Sequence, residues 1–202
     1  MQRASMMEQI DKVARGALRG AALAVAASVL SLSPAAADGE FLQFDFAPDA
    51  SSLTATMRRD RLTFSLGWSE FSTGQAASLW ASYGIPVGEG WLRIGPSLRV
   101  DNAGETDIGI RAGLEHFSMA GRRTFFLLAE ANSIQGEYQA LAQIGDQPTG
   151  LAAEVSFQGN RTGFRERTLA VSYRLGDGPA RLRAGYRFNS GQAFIGFSIN
   201  TF

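Results

Sequence analysis

The chain has 202 residues, enough for one domain of ordinary size, with 19 basic and 19 acidic side chains. It has no cysteine, which excludes disulfides, cysteine-ligated metals and acylation at an N-terminal cysteine, and its one histidine, His116, excludes a histidine-rich metal site. Residues 1–37 hold four basic and two acidic groups, leaving 15 basic and 17 acidic in the remainder, which is not the basic excess of a nucleic-acid binder.

Residues 1–19 are polar and net positive, and residues 20–32, GAALAVAASVLSL, are uninterruptedly small or apolar. Ser33-Pro34-Ala35-Ala36-Ala37 follows, with Ala35 and Ala37 in the A-x-A arrangement that signal peptidase cleaves. The apolar run is shorter than the roughly 20 residues of a spanning helix. The expectation is a secretory signal peptide over 1–37 and a mature chain, 38–202, beginning at Asp38; a retained anchor helix is the competing reading.

From Phe41 onward the hydrophobic period is two. Weak strand patterns occupy 41–47 and 52–58. The segment 61–71 is clearest, with Leu62, Phe64, Leu66 and Trp68 opposite Thr63, Ser65, Gly67 and Ser69. The segments 77–86, 91–100 and 107–117 alternate in the same way. Thr124 to Ala129 is apolar on both sides, which weakens the segment 124–133, and 137–144 is also weak. Alternation returns over 151–157, 168–175, 181–188 and 195–199. The separators STGQ, VGEG, DNAG, GDQPTG, GDGP and NSGQ supply the Gly, Asn, Asp and Pro that chain reversal requires. The total is about twelve strands, with 8–14 allowed by the short turns.

Alternation does not say which face is inside, because a soluble ligand-binding barrel turns its apolar row inward. Three features favour a membrane barrel. The runs approach the roughly 9–11 residues of a tilted spanning strand. Trp68, Tyr83, Tyr173, Tyr186 and Phe188 lie on the apolar faces, where an interfacial girdle would need them. The polar faces combine Gly and Ser with Arg, and small residues leave room for charged neighbours in a narrow lumen. Arg181, Arg183 and Arg187 share one face of one strand; each would cost about 2–4 kcal/mol facing lipid at mid-depth, so they point inward.

The signal-like segment, hairpin repeats and C-terminal Phe202 resemble bacterial outer-membrane β-barrel proteins over residues 38–202. The resemblance implies an all-β, antiparallel, up-and-down transmembrane barrel in the outer membrane, surrounded by outer-membrane lipid. It also implies a C-terminal aromatic read by the barrel-assembly machinery. Phe202 departs from the pattern by falling in phase with Asn200, Ser198 and Gly196 on the polar row. Pro96 cannot donate to a ladder, so a bulge or bend is expected at Gly95–Pro96.

The inward row would carry Arg93, Arg99, Arg111, Arg174, Arg181, Arg183 and Arg187. Its acidic partners would be Asp107, Glu115, Glu130, Glu154 and Glu166. That lining suits a narrow selective pore or a salt-bridged plug. A structural or assembly partner in envelope or exopolysaccharide export is an alternative role.

His116-Phe117-Ser118 resembles the His-x-Ser motif of outer-membrane lipid A deacylases, with Glu130 a spacing-compatible acidic group. The resemblance implies a lipid-modifying hydrolase in which histidine activates serine. Met119 stands where that family has asparagine, and 84 residues follow Ser118 where the family's motif is near the chain end. No glycine-rich strand-to-helix turn marks a nucleotide site, so no cofactor or metal is expected.

Overall fold

The computed structural model describes residues 39–71 and 74–202. The expected signal peptide and its cleavage point lie outside the described residues. Twelve strands form one closed antiparallel barrel: β1 (Glu40–Ala47), β2 (Ala50–Arg59), β3 (Leu62–Phe71), β4 (Gly74–Val87), β5 (Gly90–Asp101), β6 (Thr106–Ala120), β7 (Arg123–Asn132), β8 (Tyr138–Asp146), β9 (Leu151–Gly159), β10 (Arg165–Arg174), β11 (Ala180–Arg187) and β12 (Gln192–Asn200). Each strand pairs with its sequence neighbours. β1 closes on β12 from Phe41↔Asn200 to Phe46↔Ile195, so no edge is left unpaired.

The first and last strands place both chain ends of the barrel at one mouth, the termini mouth. The turns β2–β3, β4–β5, β6–β7, β8–β9 and β10–β11 share it, and the other six turns form the far mouth. Gly88 and Gly121 open two-residue turns at φ 58° and 61°, the left-handed conformation that tight hairpins demand. No connection between consecutive strands exceeds five residues. A 3₁₀ turn at Ile134–Gly136 joins β7 to β8.

The two faces follow the alternation. On β12, Phe194 is 4% exposed and inward, while its neighbour Ile195 is 68% exposed and outward. Outward Tyr83, Tyr138, Tyr173, Tyr186 and Phe188 are exposed, as are Leu114, Leu169, Val171 and Leu182. The buried inward side chains are mostly polar, among them Thr63, Ser65, Ser82, Ser97, Glu154, Ser172, Arg183 and Ser198, while Leu42, Leu53 and the girdle candidate Trp68 are buried in the outward phase. The fold is therefore inside-out relative to a soluble barrel, with a polar interior and an apolar outer band.

The structure differs from the sequence expectations in two places. The β4–β5 register is the same on both sides of Gly95–Pro96, from Trp80↔Ser97 to Tyr83↔Ile94, so no bulge forms. Pairing lapses there without an inserted residue. A Cβ on Gly95 would lie 1.9 Å from the Ala81 carbonyl oxygen, so glycine permits a close approach of the two strands beside the proline. At the C-terminus no bulge brings Phe202 outward. β12 keeps its register with β11 through Ile199, and Phe202 lies beyond the strand with its ring 4.7 Å from the guanidinium carbon of Arg58.

Two similar segments, LAEANSIQG at Leu128–Gly136 and LAAEVSFQG at Leu151–Gly159, do not form a structural repeat. The first copy runs from β7 into the 3₁₀ turn, whereas the second is entirely strand β9.

Candidate functional site: a charged lumen with two unlike walls

Inward-facing arginines come from β2, β5, β6, β10 and β11, because every second residue of a strand faces the lumen. On one side, formed by β2 to β7, each is matched with a carboxylate. Glu115 on β6 accepts from Arg58 Nη2 at 2.6 Å and from Arg93 Nη2 at 2.7 Å. Arg93 Nη1 also donates to Thr63 Oγ1 at 2.7 Å. Arg111 pairs with Glu130 on the adjacent strand, and its guanidinium lies 4.0 Å from the centroid of the inward Trp80 ring. Arg99 pairs with Glu137, which the β7–β8 connection supplies. Asn132 Nδ2 holds the second Glu137 oxygen at 3.1 Å, and Ser97 Oγ donates to Asn132 Oδ1 at 2.9 Å.

On the other side, Arg183 sits at mid-height between two carboxylates. Its Nε donates to Asp45 Oδ1 at 3.1 Å across β12, and its two Nη groups fork onto both oxygens of Glu154, each at 3.2 Å. The three side chains are 4, 7 and 10% exposed. A buried charge this enclosed needs such partners, because desolvation costs several kcal/mol per ion. The bidentate fork is what a guanidinium offers and an ammonium does not. Gln43 Nε2 and Gln143 Nε2 bind the Asp45 and Glu154 carboxylates at 2.8 and 3.2 Å.

The remaining arginines of this wall contact no carboxylate among the described residues. Arg187, near the far mouth, donates to the Ala50 carbonyl at 3.1 Å and lies 5.1 Å from the Phe194 ring centroid. Arg181 donates to Ser172 Oγ at 3.1 Å and to the Gly150 carbonyl at 2.8 Å. Arg174 donates to the Gln147 carbonyl at 2.9 Å.

The expected acidic partners divide. Glu115, Glu130 and Glu154 engage inward arginines as their strand phase implies. Glu166 instead accepts from the backbone N–H groups of Asn189 at 2.8 Å and Ser190 at 3.1 Å, which fixes the β11–β12 turn. Asp107 is exposed at the far mouth. Sequence reading left out Asp45, Arg58 and Glu137. Asp45 and Arg58 were detectable in the phase of the two weak first strands. Glu137 was not, because a loop places it.

The catalytic trio is not assembled. His116 and Ser118 lie opposite Leu127 and Phe125 on the outer face of the β6–β7 hairpin. His116 Nδ1 is 3.2 Å from the Glu89 carbonyl oxygen. Glu130 faces the lumen on the other side of the sheet, held by Arg111. A serine–histidine–acid relay needs all three within hydrogen-bond reach of one another in sequence, and the sheet separates the acid from the other two.

Several solved barrels share this architecture. The KdgM porin superposes with a TM-score of 0.54 at 10% identity, over 80% of this chain and 97% of that one. It has also been solved in complex with disordered oligogalacturonate. The outer-membrane protein Omp33 of Acinetobacter baumannii gives 0.52 at 9% identity, over 81% and 96% of the two chains. The NanC porin gives 0.51 at 10% identity, over 81% and 98%. No protein-family model matches the sequence, and no curated protein matches it. The likeness is one of fold, extends over nearly the whole of each of these barrels, and agrees with the inside-out burial. This chain has the closed twelve-stranded fold of bacterial outer-membrane β-barrel proteins.

Proposed function

We propose that the protein is an integral outer-membrane barrel that conducts small polar solutes through a narrow lumen, after export and cleavage behind Ala37. The carrying observation is the inward surface, which carries polar or charged side chains from one mouth to the other among fewer apolar ones such as Trp80, Leu128 and Phe194, in a barrel whose connections are too short to supply a plug domain. Outer-membrane lipid would cover the apolar row, and the barrel-assembly machinery would insert the chain. Fold likeness to porins supports this reading.

The test is conductance. Purified protein in planar bilayers is expected to give small discrete current steps. Silence across salts and voltages would remove the reading. Carbonate extraction and heat-modifiable gel mobility check the membrane assignment, and N-terminal sequencing of the mature protein checks cleavage behind Ala37.

A second reading, a barrel that conducts nothing and serves a structural or assembly role, draws on the burial of the Arg183–Asp45–Glu154 cluster. That role predicts a stable partner recoverable by crosslinking together with absent conductance.

A further inference from the structure

The two walls of the lumen differ in how their charge is compensated. Arg93, Arg99 and Arg111 each meet a carboxylate, and each has a buried Nε with no partner among the described residues. Their guanidiniums are enclosed and committed. Arg174 and Arg181 are the opposite case. They stand directly across from each other on β10 and β11, both facing the lumen at the termini mouth. Like charges in that register repel.

Neither is answered by an acid among the described residues. Asp177, in the turn between the two strands, pairs with neither. Asp146, the last residue of β8, is bound by Arg122 Nε at 2.9 Å and by Thr149 Oγ1 at 2.6 Å. Arg183, the next inward residue on β11, is itself cationic, and its Nε and Nη groups already engage Asp45 and Glu154. What holds the pair is neutral. The β8–β9 turn offers the Gln147 carbonyl to Arg174 and the Gly150 carbonyl to Arg181. Gly150 has φ 70°, and a Cβ there would sit 3.0 Å from Arg174 Cβ, so glycine lets this turn come up against the arginines.

Each guanidinium has five N–H donors. The described contacts use one on Arg174 and two on Arg181. No nitrogen of either side chain is both buried and unpartnered, so the remaining donors open onto solvent. Two adjacent forks, fixed by backbone carbonyls and lacking a counter-charge, match the planar or tetrahedral oxygens of an anion.

We propose that Arg174 and Arg181 form an oxyanion-binding site at the termini mouth, taking a carboxylate or phosphate group of a solute. Its part in permeation rests on the pore reading above; the binding itself does not. Arg183, deeper in the lumen, is already matched by two carboxylates, so among the described residues of this wall the uncompensated positive charge at this mouth is that of Arg174 and Arg181.

Two measurements on the purified protein, using inorganic phosphate as the probe, test the site. The first is phosphorus NMR line broadening in detergent. It should show saturable binding by the natural protein, weakened about tenfold or more in Arg174→Gln/Arg181→Gln, since charge-assisted bonds are lost. Arg165→Gln/Arg167→Gln, outward on the same strand, should bind as the natural protein does. Equal binding by the two double variants, or none by the natural protein, overturns the site whether or not the barrel conducts. The second is planar-bilayer current in chloride. Phosphate should reduce it more from one side than from the other, and the reversal potential should show anion preference that the Arg174→Gln/Arg181→Gln variant loses. Current without anion preference or phosphate block overturns the site's role in permeation and leaves the pore standing. Absent current with intact phosphate binding overturns the pore and leaves the site.

Discussion

Phe71 and Phe164 meet with ring centroids 6.1 Å apart, although β3 and the β9–β10 connection stand about halfway round the barrel from each other. The contact spans the far mouth. The connection that carries Phe164 is anchored to the β7–β8 connection, where Arg161 N–H donates to the Gln135 carbonyl at 2.9 Å. A tilted aromatic pair contributes about 0.5–1.5 kcal/mol beyond its area burial. That is enough to favour one arrangement and too little to hold the barrel together. Phe164→Ala should therefore raise single-channel conductance and admit larger neutral solutes, with the thermal midpoint moving little. Unchanged conductance together with an unchanged solute cut-off would show that the pair does not narrow the path.

Arg183 should be the most sensitive lumen position. Removing it leaves Asp45 and Glu154 buried without their cation, which costs about 3–5 kcal/mol. Arg183→Ala is expected to lower the urea midpoint in detergent sharply. Arg183→Met combined with Asp45→Leu and Glu154→Leu should recover much of that loss, because a matched apolar filling strands no charge. Equal midpoints for the natural protein and Arg183→Ala would mean that water relieves the cluster.

Gly95 should tolerate no side chain. A Cβ there would fall 2.8 Å from Ser82 Cα as well as against the Ala81 carbonyl, and backbone cannot step aside as a flexible side chain can. Gly95→Ala should separate β4 from β5 locally, at about 1–3 kcal/mol for overpacking. The readout is the fraction of heat-modifiable, folded protein. A natural yield from Gly95→Ala would show that the two strands can spread at no expense beside Pro96.

The orientation of the faces has a direct test at Leu182, which is outward and exposed on β11 beside the mid-height Arg183. Leu182→Arg should destabilise the lipid-embedded barrel by about 2–4 kcal/mol. The neighbouring Arg183 already faces the lumen, so an effect of this size at 182 alone reports on lipid. Refolding titrations into vesicles measure it, and no loss would place this outer face in water.

Much of the architecture is legible in the residues. Period-two runs, turn clusters and charged positions on one face gave twelve strands and the inward arginines, because strand geometry alternates side chains strictly. β7 resisted because Phe126 and Leu128 share the inward phase with Glu130, which blurs polar against apolar. Partner choice was illegible for a different reason. Arg183 reaches Asp45 and Glu154 two strands away on either side, and register across intervening strands is set by closure of the whole sheet. The proximity of Phe71 and Phe164 depends on the same closure. His116 and Ser118 were suggested by a resemblance to a short motif and Glu130 by its spacing, and a sheet turns a neighbouring strand's acid to whichever side its own phase dictates.

Connections of five residues or fewer mean that, among the described residues, no large loop stands above either rim of the barrel. Such a protein presents little to a protease, an antibody or a soluble docking protein on either side of the membrane. Shaving intact cells should leave it whole. Any lasting partner must then approach sideways, through the lipid-facing wall, or enter by a mouth only a few side chains wide.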